Sequence, residues 1–318
     1  TPAAPAPAPG GELCGPATDA APAPRHPDRP PGTASHPHAA GADPRPAEGG
    51  EVVGGLEQLY LAAFYGHPGA ADPVLARIDP AGDVPARVRW LAGVCLGARG
   101  RYAQAARWLA PAGVPVDSAA ASCLASHLRQ VGRHADAEPL DRLALDTATD
   151  AETEADALVG LVADAVGRHD VPLARSRLAT ATRSVSNDYS AWRPQIRLAW
   201  VTAETALLAS DPETAVAAGR GAERMSRDAE ACRHAVKSRL VLGVALDAAG
   251  RSRPAARLLR SAATGADTLD LIPLVGPIRA VLATILQVHA PAAAERERRK
   301  ARSAQSIIEV AATGARSG

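Results

Sequence analysis

Few residues of this 318-residue chain stand where they could do covalent chemistry. Four cysteines, Cys14, Cys95, Cys123 and Cys232, are the obvious nucleophiles or metal ligands, yet no two have the short spacing that a zinc site or a redox dithiol needs. They read as reduced thiols. His36-Pro37-His38 and Cys14 fall in a stretch rich in Pro, Ala and Gly, and read as incidental composition rather than a metal site. The run Asp150-Ala151-Glu152-Thr153-Glu154-Ala155-Asp156 offers paired carboxylates, but it fits a helix N-terminus, where acidic residues complement the dipole. Gly219-Arg220-Gly221 lies in a helical stretch and lacks the strand that a dinucleotide loop follows, and no Walker loop, H-E-x-x-H or G-x-S-x-G is present. The expectation is a chain with no catalytic residue, no cofactor and no metal.

The elements that would position any site are helices. Hydrophobic residues make up 47% of the chain and aromatics only 3%, with Ala the dominant apolar residue. Ala has the highest helix propensity, whereas strands favour β-branched and aromatic side chains, so an all-α fold is expected. The formal charge is +1, from 35 basic and 34 acidic residues, so no whole-molecule field draws the chain to nucleic acid or an anionic membrane. Only Lys237 and Lys300 are lysines; with the Ala excess, this reads as the codon choice of a high-GC bacterial genome. The most apolar run, Leu271 to Val288, is interrupted by Pro273, Pro277 and Arg279, which fits a buried helix better than a membrane span. No charged-then-apolar leader opens the chain, and a cytoplasmic location is expected, with a segment removed before Thr1 left open.

Residues 1–50 form a Pro/Ala/Gly-rich tail with almost no large apolar side chain. Such a stretch cannot offset roughly 1–2 kcal/mol of backbone entropy per ordered residue, so it is expected to be disordered, as are residues 314–318. From Val52 onward a corner recurs: Tyr65-Gly66-His67-Pro68, Arg99-Gly100-Arg101-Tyr102, Val131-Gly132-Arg133-His134, Val166-Gly167-Arg168-His169 and Ala249-Gly250-Arg251-Ser252. The first four glycines are 34, 32 and 35 residues apart, the length of two helices and two turns. Ala209-Ser210-Asp211-Pro212 is a weaker relative. Gly ends a helix by entering left-handed backbone space. A small residue follows five positions after five of these six corners, at Ala71, Ala105, Ala137, Ala215 and Ala255, and lets the next helix lie close. Gly93, Gly160 and Gly243, each seven residues before a corner, serve the same approach from the other side. His134 and His169 take the slot of Tyr102, a turn-packing position.

Gly93, Leu96, Gly100, Tyr102, Ala105 and Leu109 resemble the tetratricopeptide repeat in order and spacing, and so do Leu242, Gly243, Leu246, Gly250, Ala255, Leu259 and Ala262. The likeness spans roughly residues 51–265. The repeats are degenerate: Arg89, Ala121, Asp156 or Arg239 replaces the large early aromatic, and about two inserted residues are needed to bring Ala174 into line. The resemblance implies a right-handed α-solenoid over 51–313. About seven hairpins are expected, at 51–80, 84–114, 117–148, 151–185, 190–226, 228–265 and 267–313, the last a cap whose Glu295-to-Arg302 face pairs internally.

The resemblance also implies that the first helices of the hairpins line an open concave groove that takes a partner segment. Its positions carry over to Arg87, Trp90 and Val94; Ser122, Ser126, Arg129 and Gln130; Glu154, Leu161 and Asp164; Arg197, Trp200 and Glu204; and Lys237, Leu240, Val244 and Asp247. The mixed charge lacks the basic and Asn combination that clamps a terminal carboxylate in some family members. Trp90 and Trp200 share a repeat phase and are either groove anchors or, with a one-residue shift, core aromatics. The expected function is a protein-binding scaffold or adaptor; the alternative is a regulatory or nucleic-acid-binding module related to bacterial transcription regulators.

Overall fold

Most of the corners expected from the sequence have a local physical cause in the computed structural model, which describes residues 48–185 and 192–313, with side chains over 55–185 and 192–308. The tail with Cys14, His36 and His38, and residues 314–318, lie outside the described residues. The helices are α1 (Glu48–Phe64), α2 (Asp72–Leu75, entered through a 3-10 turn at Pro68–Ala71), α3 (Ala86–Ala98), α4 (Tyr102–Leu109), α5 (Ser118–Gln130), α6 (His134–Asp146) and α7 (Ala151–Gly167). They continue as α8 (Val171–Val185), α9 (Trp192–Leu208), α10 (Pro212–Asp228), α11 (Cys232–Ala248), α12 (Ser252–Thr268), α13 (Ile272–Leu286) and α14 (Pro291–Thr313). There is no strand among the described residues, and no helix there is long and apolar enough to cross a membrane.

Caps start several of these helices where the sequence places Asp. Asp117, Asp150 and Asp211 each accept the backbone N–H three residues on, satisfying an orphan donor of α5, α7 and α10. Corners end them. Gly100, Gly132 and Gly250 have φ of 74°, 77° and 74°, the left-handed space that a Cβ disfavours. The first and fourth corners differ from expectation: Gly66 does not take a left-handed φ, Gly167 is helical, and the left-handed residue of the fourth corner is His169, at φ 60°. Placing the corner there puts Ala174 five residues on, which accounts for the two apparent insertions. It also makes Val171, not His169, the counterpart of Tyr102, so the turn-packing role stays with His134 alone of the two histidines. Gly167 is needed elsewhere, because a Cβ on it would lie 2.1 Å from His134 Nδ1.

Pairs of helices then stack into an α-solenoid. Within a hairpin α3 packs on α4, α5 on α6, α7 on α8, α9 on α10, α11 on α12 and α13 on α14. The odd-numbered helices also pack on one another in unbroken order from α1 to α13, making an inner layer. Ala105, Ala137, Ala174, Ala215 and Ala255 are all fully buried at the closest approaches. A Cβ on Gly93 would sit 2.5 Å from Leu109 Cγ, and one on Gly243 2.7 Å from Leu259. Burying a leucine in such a seam is worth roughly 1.5–3 kcal/mol. Gly160 accepts a different neighbour: its missing Cβ leaves room for the Asp141 carboxylate of the preceding hairpin.

The expected open groove is closed. α1 reaches α11, and α4 reaches α14. Ala98, at the end of α3, shares an apolar cluster with Leu271, Val275 and Ile278 of the last hairpin. Gly100 faces Ile272 and Ile308 across the same seam. Arg99 locks it, donating from Nη1 to Asp72 at 2.7 Å and from Nε to Asp270 at 2.9 Å. The solenoid therefore curls until its seventh hairpin meets its second. On α14, Arg302 and Glu295 pair at 2.9 Å between exposed side chains, while Ile308 is buried against the seam.

Candidate binding channel

Closing the inner layer brings side chains from all seven odd helices around one axis. A cavity of 160 Å³ is lined by Phe64 of α1, Trp90 of α3, Ser122 and His127 of α5, Asp156 of α7, Arg193, Arg197 and Trp200 of α9, Arg233, His234 and Lys237 of α11, and Pro273 and Leu274 of α13. Adjoining it is a wider space of 760 Å³ lined among others by Arg129, His134, Val159, Glu204, Leu240, Pro277 and Ile308. Ser126, Gln130, Arg197, Trp200 and Lys237 border both.

Aromatic rings shape the narrow end. Trp200 stacks on His234 with ring centroids 5.4 Å apart and planes at 18°, while Trp192 meets the same imidazole edge-on at 4.9 Å. Phe64 lies 5.7 Å from Trp90, and the Arg193 guanidinium sits 5.1 Å over the Trp90 ring. The Trp200 indole is fixed by a hydrogen bond: Nε1 donates to Ser238 Oγ at 2.8 Å, and Ser238 is in turn bonded to Ser226. Rigid aromatics with a tethered polar edge hold the shape of a site.

The charges of the wall are mostly spoken for. Asp156 is paired with both Arg193 and Arg197, and Arg193 also reaches Glu152 at 2.8 Å. Lys237 pairs with Glu204 at 2.9 Å. Arg129 lies between two fully buried carboxylates, donating to Asp164 at 3.1 Å and to Asp141. Burial pushes the Cys95 and Cys123 thiols up to about 12, and it pushes His127 down to about 3, with Arg233 adding to the fall. These groups are therefore neutral at ordinary pH, and the Cys123 Sγ to His127 Nε2 contact of 3.6 Å is a thiol beside an imidazole rather than an ion pair.

Of the ten residues singled out from the sequence, Trp90, Arg129, Gln130, Arg197, Trp200 and Lys237 border this space. Trp90 is 6% exposed and belongs to an apolar cluster while still forming cavity wall; Trp200 is more open. The other four lie apart from it. Arg87 stacks over Trp90 at 4.5 Å from an exposed position, Glu154 is exposed beside Ser184, Asp164 is fully buried against Arg129, and Asp247 accepts from Ser252 at 2.7 Å near a corner. Sequence reasoning missed Phe64, Arg193, Arg233 and His234. The signal was there: Arg193 and Arg233 lie one helical turn before Arg197 and Lys237 on the same faces, and forty residues separate the members of each equivalent pair.

No protein-family model matches the chain, and no curated protein matches it. Among solved structures, a Rap protein complexed with competence and sporulation factor is similar with a TM-score of 0.54 at 12% identity, over 84% of this chain and 78% of that one. Aspartyl phosphate phosphatase F from Bacillus subtilis aligns over 87% of this chain and 78% of its own with a TM-score of 0.43 and 11% identity. The first of these likenesses places the chain among tetratricopeptide-like helical-repeat folds.

Proposed function

We propose that this chain is a non-enzymatic scaffold that holds a segment of a protein or peptide partner in its axial channel. The observation that carries this reading is the channel itself: two adjoining spaces with a shared wall, between them bordered by all seven inner helices, with apolar and charged groups interleaved along them. A volume of 760 Å³ falls within the roughly 300–1,000 Å³ typical of ligand sites. The similar Rap structure, complexed with competence and sporulation factor, supports the reading by analogy of fold. The ion pairs of the wall favour a protein ligand over nucleic acid, because basic groups already bound to carboxylates have little left to offer phosphates.

The test is affinity capture of partners on the intact chain beside a Leu240→Glu variant, which narrows and charges the channel. A defined protein recovered by the wild type and lost from the variant, with channel residues protected in hydrogen exchange, is the expected result. Bound material that is only nucleic acid, retained on heparin at near-physiological salt, would overturn the reading.

A further inference from the structure

Counting charge at the narrow end of the channel leaves one cation over. Arg193 and Arg197 are matched by Glu152 and Asp156, and Lys237 is matched by Glu204. Arg233 lines the same cavity and, among the described residues, makes no ion pair and no hydrogen bond. Burial lowers its basicity, and the neighbouring Arg193 and Arg197 add to that. The nearby Cys95 and Cys123 cannot serve as counter-charge, since both thiols stay protonated. The Arg233 side chain is half-buried on the cavity wall, and an anion beside an unmatched guanidinium in that partly desolvated position gains a charge-assisted hydrogen bond.

The walls add a second constraint. Phe64, Trp90, Trp200 and His234 present ring surface to the cavity. His234 is also neutral, burial holding it well below its usual range, and its Nδ1 is buried without a partner. The cavity measures 160 Å³, close to the ~150 Å³ apolar void known to accept benzene. A site of that size, walled by rings and carrying one free positive charge, fits a single small ring with a single negative group.

We propose that the narrow end of the channel binds a monoanionic carboxylate on a compact aromatic or apolar body, with Arg233 as the residue that meets the carboxylate. The inference holds whether or not the wider channel takes a protein segment. The same chemistry occurs in a free aromatic acid and in the last residue of a peptide, and the test separates the two.

The probes are benzoate, its neutral analogue benzamide, acetate, and a blocked pentapeptide ending in Phe with either a free or an amidated terminus. Titration of wild-type protein at fixed ionic strength is followed by tryptophan fluorescence and by thermal stabilisation. Benzoate should saturate and bind at least about tenfold more tightly than benzamide, the loss expected when one charged hydrogen-bonding partner is removed. Arg233→Gln should abolish that preference while still binding benzamide, and Arg233→Lys should restore part of it. If Arg233→Gln fails to fold, the comparison of benzoate with benzamide on the wild type decides alone. Benzoate no better than benzamide, or undiminished in Arg233→Gln, overturns the proposal. A free acid as ligand predicts benzoate over the pentapeptide; a chain end predicts the free-terminus peptide over both benzoate and its amide.

Discussion

Arg99 and Asp270 are 171 residues apart in the chain and meet at 2.9 Å. That contact joins the corner after α3 to the corner before α13, and the same guanidinium also holds Asp72. Arg99 is largely shielded from solvent, whereas both carboxylates are more than a third exposed, so each bond is worth less than a fully buried one. Arg99→Ala should lower stability by about 1–2 kcal/mol and increase the radius of gyration in solution scattering. Unchanged dimensions would mean that the apolar seam at Ala98, Ile272 and Ile308 closes the solenoid unaided.

Gly160→Ala tests the buried polar seam between the third and fourth hairpins. The added Cβ would come 2.3 Å from Asp141 Oδ1, and that carboxylate cannot retreat without leaving Arg129. A loss of about 2–3 kcal/mol in urea unfolding is expected, the upper range for overpacking a filled site. Gly221→Ala, at a helical glycine with open space around its Cβ, is the matched control and should be neutral or slightly stabilising.

Glu138 should make stability fall in acid. The side-chain hydrogen bond from Arg177, then that from Arg142 and the nearby charge of Arg168, hold its carboxyl down at about 2 against an ordinary 4.5. A carboxylate depressed in the folded state contributes fully above the unfolded value and loses that contribution as pH drops toward the folded one. The wild type should therefore lose stability between about pH 4.5 and 2 by more than Glu138→Gln does, as read by urea midpoints across that window. Parallel curves for the two proteins would assign the acid response to other carboxylates.

Much of the fold could be read because helix corners leave local marks. Gly100, Gly132 and Gly250 adopt the backbone angles that only glycine takes without penalty, and the buried alanines five residues later fix the register of each following helix. Corners built from His169, Ser210, Glu230 and Asp270 carry no such mark; each holds a positive φ with an ordinary side chain, and this is why Gly167 stands in for the true corner in a sequence reading. The closure was illegible for a different reason. It depends on the sum of small rotations between hairpins and on contacts such as Arg99 with Asp270, which no local pattern encodes. The channel was half legible: the turn of each helix nearest Trp90, Trp200 and Lys237 was found, and the turn before it, with Arg193 and Arg233, was not. Arg129 lines the space as expected, but its charge is spent on Asp141 and Asp164, a pairing that joins three different helices.

The meeting of the second and seventh hairpins also fixes how this chain can change over evolutionary time. Open arrays grow and shrink by gaining or losing whole units, because each unit touches only its neighbours. Here an extra pair of helices would drive α14 past Gly100, and a missing pair would carry Asp270 out of reach of Arg99. Duplication and deletion are thereby shut off, and new specificity must arise by substitution inside a ring of constant circumference.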